Sequence, residues 1–171
     1  MLMTPPLRKL ALTAHVTSSI GWIGAVVVFL ALAIIGLTSQ DDQTVRGVYL
    51  VMDPAAWFVL VPLAFASLLT GLVMSLGTVW GVFRHYWVVF KLLIAVFATI
   101  VLLIYMGTFR LMAAVAADPS VDLAMVRNAS PMLHAVLAVL LLLVATVLAV
   151  YKPRGMTAYG WRKQSLTKAG H

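Results

Sequence analysis

The sequence predicts an all-α integral membrane protein, an up-down four-helix bundle with both termini in the cytoplasm. Three observations predict it. First, 63% of the 171 residues are hydrophobic and 10% are charged, whereas a soluble domain is about 45–50% apolar and about 25% charged. Second, apolar runs at about residues 10–37, 55–80, 86–108 and 132–151 each reach the ~20 residues that a helical span requires. Third, the basic residues are unevenly placed. Arg8, Lys9, Arg84, Lys91, Lys152, Arg154, Arg162, Lys163 and Lys168 fall on the side of the termini, while Arg46, Arg110 and Arg127 fall opposite with all five Asp. The positive-inside rule then puts the termini in the cytoplasm of a bacterial cell, with the chain in its plasma membrane.

Composition also excludes classes. No run has the strand-length alternation of a membrane barrel. The absence of cysteine removes disulfides, thiolate metal sites and cysteine nucleophiles. The net charge of +7 reads as topogenic charge facing anionic headgroups, with the lipid bilayer rather than nucleic acid as partner.

In chain order, a short basic lead with Pro5 and Pro6 opens the first span, which is too long for a signal-peptide core. At 100° per residue, His15, Ser19, Trp22 and Val26 share one face of this span, and Thr17, Gly21 and Ala25 form a neighbouring small-residue stripe. Such a stripe lets helices approach closely, so the first span is expected to be central and to offer a contact for a second copy or a membrane partner. Residues 38–53 read as a polar connection. Asp53-Pro54 reads as the cap and first position of the second helix, which Pro62 is expected to kink. Residues 81–86 form a tight turn before a third helix that continues to about Ala117. Asp118-Pro119 and Ser130-Pro131 repeat the cap signal, the first for a short surface helix and the second for the last span. Residues 152–171 are expected to be a basic cytoplasmic tail.

Ionisable residues inside spans are costly and mark functional sites by default. His15 and Lys91 each lie about five residues in from the same edge, or about 8 Å deep, and so can meet. His134 enters from the opposite edge. His85, on the turn, is placed to reach toward His15, and Trp22 shares the His15 face. Each has a structural reading beside the functional one. Lys91 can snorkel to headgroups, His15 can bond a neighbouring helix, and Trp22 can simply pack.

The stretch Leu10-Ala-Leu-Thr-Ala-His15 with Gly21-Trp22-Ile23-Gly24 resembles the first helix of a superfamily of small bacterial membrane proteins. Tyr86-Trp87-Val88-Val89-Phe90-Lys91-Leu92-Leu93 resembles its aromatic-x-x-x-Lys-Leu helix. The superfamily includes the copper-resistance D proteins, the HemJ-type protoporphyrinogen IX oxidases and a family of integral membrane proteins defined by a domain of unknown function. The resemblance implies roles for a His on the first helix and a Lys on the third, which here are His15 and Lys91, and haem b as a possible cofactor. His15 would be an axial ligand to the haem iron, with its other ring N–H bonded to Ser19 or Thr78, and Lys91 would pair with a propionate or, deprotonated, act as a second ligand or base; alternatively the two would bind a small anion, lipid headgroup or quinone at the cytoplasmic rim. His85 and Trp22 would lie near the same group.

Three functions therefore stand. One is a non-catalytic partner or lipid-interacting subunit. Another is a haem- or porphyrin-associated redox protein built on His15 and Lys91. The third is a copper-handling or small transport protein. The sequence assigns no catalytic residue.

Overall fold

The computed structural model describes residues 3–169. Helix α1 spans Pro5–Thr38, α2 Asp42–Ala55, α3 Val61–Leu76, α4 Tyr86–Ala117, α5 Ser130–Tyr151 and α6 Ala158–Ala169. A π-helical turn, Ala56–Leu60, joins α2 to α3 without a break. Among the described residues four helices are thus long and apolar enough to cross a membrane, namely Pro5–Thr38, Asp42–Leu76, Tyr86–Ala117 and Ser130–Tyr151. The chain is a multi-pass membrane protein.

Helix α1 packs on α2, α3 and α5, and α4 packs on the same three. Each spanning helix therefore neighbours the one before and after it, and α1 and α5 close the ring, as short connections require. The α3–α4 turn, the start of α1 and the start of α6 lie at one end of the bundle, called here the terminal end. The α1–α2 and α4–α5 connections lie at the opposite end.

The interior changes character along the bundle. Toward the opposite end it is apolar and filled by Trp22, Phe29, Tyr49, Met52, Phe109 and Met112 among others. Phe29 and Phe109 meet edge to face with centroids 5.5 Å apart, a geometry favoured by the ring quadrupoles. Toward the terminal end several buried positions are small or polar: Ala11, Ser18, Ser67 and Thr99. Helix α1 touches three neighbours yet still exposes Leu10, Val16, Ile20, Val27 and Val28, so it is less enclosed than its small-residue stripe suggests. That stripe is partly used within the chain, since a Cβ on Gly21 would lie 3.2 Å from Leu63 of α3.

Several local expectations are corrected. Residues 42–55 are helical rather than a polar connection, because Asp41 caps them, accepting from the Gln43 and Thr44 backbone N–H groups. Asp53 and Pro54 lie inside this helix. Pro54 is tolerated there because the backbone re-forms around it, with the Ala56 N–H reaching the carbonyls of Asp53 and Met52. The irregularity expected at Pro62 falls just before it. Val61 donates to Ala56 across a widened π turn, and Pro62 has no N–H to continue the ladder. Asp118 ends α4 instead of starting a helix. Its carboxylate accepts from the Ser120 N–H and hydroxyl, and only a single 3-10 turn, Leu123–Met125, follows, capped by Asp122. At the start of α5 the Ser130 N–H donates to Asn128 Oδ1, so Asn128 does the work expected of Ser130. The chain after α5 forms helix α6, with its first residues held to the α3–α4 turn.

Two arginines hold the opposite end together. Arg46 of α2 donates to the carbonyls of Val115, Ala116, Asp118 and Val121, at 3.2, 3.3, 2.7 and 2.8 Å. Arg127 donates to the carbonyls of Leu37 and Ser39. Each guanidinium thus satisfies carbonyls that a helix C-terminus leaves unpaired and sits at the negative end of a helix dipole, α4 for Arg46 and α1 for Arg127.

Candidate functional site

The antiparallel register of α1 and α3 builds the site. Ser19 and Ser67 hydroxyls meet at 2.8 Å. A few residues back, the His15 imidazole lies over Gly71, where a Cβ would come within 3.1 Å of Cε1. Residue 19 is level with 67 and 15 with 71, so Thr78 is level with about Arg8 and lies roughly 10 Å too far along the axis to serve His15. His15 Nδ1 instead meets Thr70 Oγ1 at 3.1 Å. The expected partners are otherwise engaged: Ser19 with Ser67, and Thr78 with the Met74 carbonyl.

The network favours one tautomer of the neutral ring. Thr70 has one hydroxyl proton, and it goes to the Ala66 carbonyl 2.5 Å away. With that proton on the backbone, the Thr70 oxygen accepts from His15, an assignment that puts the ring proton on Nδ1 and leaves Nε2 its lone pair. Ser18 donates to the His15 carbonyl at 3.1 Å and closes the cluster. An imidazole held through Nδ1–H to an oxygen, with Nε2 unprotonated, is the arrangement that metal-ligating histidines use.

Lys91 is half-buried on α4, which runs parallel to α1 across the bundle. Phe29 faces Phe109, so Lys91 is level with about Ala11, one turn nearer the terminal end than His15. The two side chains are within electrostatic reach of one another, and Lys152 acts on Lys91 from the end of α5. No hydrogen bond joins His15 to Lys91 among the described residues. They share one region of the bundle as neighbours rather than as a bonded pair.

The remaining candidates separate from this pair. Trp22 is 3% exposed and belongs to the apolar core. His85 does not reach His15. Its Nδ1 lies 2.9 Å from the Trp80 carbonyl, and its ring stands edge-on to the Trp80 indole at 5.2 Å. His134 lies exposed at the opposite end, bonded to the Ser130 carbonyl and 4.3 Å from the Tyr105 ring. Among the described residues, no three His, Cys, Asp or Glu side chains converge on one point.

Sequence reasoning missed the specific partners Thr70 and Gly71, although the small and polar character of the α3 half that holds them was visible. It also missed Arg46 and Arg127 as caps. Their signal is an Arg in or beside a loop that faces the C-terminal turn of a helix. Comparison of the chain with family models, with curated proteins and with solved structures finds no match.

Proposed function

We infer that this multi-pass protein of a bacterial plasma membrane, with both termini cytoplasmic, holds a ligand in the terminal half of its bundle through His15. The observation that carries the reading is the 3.1 Å contact of His15 Nδ1 with Thr70, which, with Thr70 donating to the Ala66 carbonyl, assigns the ring proton to Nδ1 and leaves Nε2 unprotonated. Haem b fits the residues in three respects. His15 offers one axial nitrogen, Lys91 offers a cation for a propionate, and the buried Ala11, Ser18, Ser67 and Thr99 of this half are small or carry hydroxyls. When bound, such a group supplies one-electron chemistry. The resemblance of the His15 and Lys91 stretches to the HemJ-type oxidases points the same way. The test is the absorption spectrum of protein purified in mild detergent from haem-replete cells. A Soret band that is lost in His15→Ala at unchanged yield supports the reading, and colourless wild-type protein opposes it.

A second reading rests on a specific observation. The His15–Thr70 and Ser19–Ser67 bonds all link α1 to α3, so the cluster also serves as a polar tie between two helices. On that reading the chain is a non-catalytic subunit acting through lipid or a membrane partner. His15→Ala then loosens the bundle but leaves the spectrum unchanged. A copper or transport role gains least, because His15 and His134 occupy opposite ends.

A further inference from the structure

We propose that the α2–α4 face of the bundle docks a second copy of this chain, with Asp53 of each copy paired to Arg110 of the other. This face belongs to the opposite half of the bundle, so the docking does not depend on what His15 holds.

At the opposite end, two charged groups inside the spanning helices have no partner within the chain. Asp53 lies in the Asp42–Leu76 span, and its Oδ1 is buried yet meets no donor among the described residues. Arg110 lies in the Tyr86–Ala117 span, is exposed, and makes no hydrogen bond or ion pair among the described residues. The other charges of this end are used inside the chain. Asp41, Asp118 and Asp122 accept from backbone N–H groups, and Arg46 and Arg127 donate to carbonyls. Asp42 stands in the first turn of α2, where the helix dipole favours an acid. Charged side chains inside spans pair with one another as a rule. Headgroups are a poor substitute for Arg110. Helical side chains lean toward the N-terminus, which for α4 is the terminal end, so its stem leads away from the nearer rim.

The two groups share one depth and one flank. Asp53 is two helical turns from Arg46, so it lies on the face that Arg46 turns toward α4. Arg46 reaches the carbonyls of Val115 and Ala116, and two turns back along antiparallel α4 is about the level of residues 108 and 109, beside Arg110. Round α4, Tyr105 faces α5, and Phe109 faces α1 about 40° further on. Arg110 follows about 100° beyond Phe109 in the same sense, on the flank nearest α2. Asp53 and Arg110 therefore border the same outer seam without meeting inside one chain. A two-fold axis along the membrane normal sets α4 of one copy against α2 of the other at equal depth, so one interface makes the pair twice. Gly107 keeps the approach open. It is exposed one turn from Arg110, and no atom lies within 4 Å of where its Cβ would stand.

The experiment counts chains per particle by single-molecule photobleaching in phosphatidylethanolamine/phosphatidylglycerol vesicles over a range of chain-to-lipid ratios. The chain has no cysteine, so Lys9→Cys gives one labelling site away from the seam. The expected result is a dimer whose association weakens about tenfold in Asp53→Asn or Arg110→Gln, with the double variant no weaker than either single one. Arg110→Gln should leave the unfolding of the single bundle unchanged, because the pair ties copies rather than helices of one chain. Asp53→Arg and Arg110→Asp each place like charges together, so each should be monomeric alone and dimeric when the two are mixed. Gly107→Leu should lose the dimer without a change of charge, while Gly24→Leu, at an equally open glycine of α1, should keep it. A monomeric wild type, neutral variants that associate as tightly as the wild type, or an equal loss in Gly24→Leu overturns the proposal. So does a mixture of folded Asp53→Arg and Arg110→Asp that stays monomeric, which would place any pairing inside one chain. Should Asp53→Arg fail to fold, the neutral and glycine variants decide.

Discussion

Replacing Arg46 with alanine removes one guanidinium that bridges α2, the end of α4 and the connection beyond it. Its two shortest bonds go to the carbonyls of Asp118 and Val121, at 2.7 and 2.8 Å. Bonds from a charged donor contribute about 1.5–3 kcal/mol each, and a cation at a helix C-terminus adds about 0.3–1 kcal/mol. Water can reach the connection and replace part of this, so the expected loss is about 2–4 kcal/mol rather than the full sum. Arg46→Lys keeps the charge but not the planar fork, and it should recover less than half of the loss. Arg110→Ala is the control. Arg110 is exposed on α4 and its loss should stay within about 0.5 kcal/mol. Unfolding in mixed micelles at rising SDS fraction, followed by tryptophan fluorescence, measures all three. An Arg46→Ala loss no larger than that of Arg110→Ala would refute the assignment of Arg46 as the structural cap of α4.

Thr70→Val removes the acceptor of His15 Nδ1–H. Nitrogen NMR of ring-labelled protein should show the His15 proton moving to Nε2, with a stability loss of about 1–2 kcal/mol, whereas an unchanged tautomer would contradict the network. Gly71→Val places a branched side chain where even a Cβ lies 3.1 Å from the imidazole. It should drive the ring off Thr70 and cost about 1–3 kcal/mol, read in the same unfolding assay. Asp41 is held below its ordinary value of 3.8, first by the Thr44 hydroxyl, and Asp118 below the same value, first by the Ser120 hydroxyl. A depressed carboxyl stabilises the fold above its unfolded value, and that contribution fades as pH falls through the folded one. Stability should therefore decline below about pH 4, and Asp41→Asn should flatten part of that slope. A slope identical to wild type would show that the cap does not titrate.

The four apolar helices were legible because length and hydropathy alone suffice for a span. The end of the third span near Ala117 was equally legible from its continuing apolar run. The extra helical turns of α2 were not. Val45, Val48, Tyr49 and Met52 recur at helical spacing, but Asp41, Asp42, Arg46 and Asp53 gave the stretch the look of a loop. The two Asp-Pro pairs misled because proline fits a first turn but is hosted elsewhere too, Pro54 inside α2 and Pro119 after the end of α4, whereas Ser130-Pro131 opens the last span as expected. In the site, His15 and Lys91 stood out as ionisable residues in apolar helices. Thr70 could be chosen over Thr78 only once the α1–α3 register was known, and register comes from packing rather than from periodicity. The tail gave no hint of α6 docking, because Thr157 and Gly160 act through the backbone of residues 83 and 84.

The most direct measurement is a titration of haem into detergent-solubilised apo-protein, with wild type, His15→Ala and Lys91→Gln compared side by side. The wild type should saturate at one haem per chain with a shifted Soret band. His15→Ala should give only the spectrum of free haem, and Lys91→Gln should bind more weakly with the same band. A saturable, shifted band of equal affinity in His15→Ala would contradict the account.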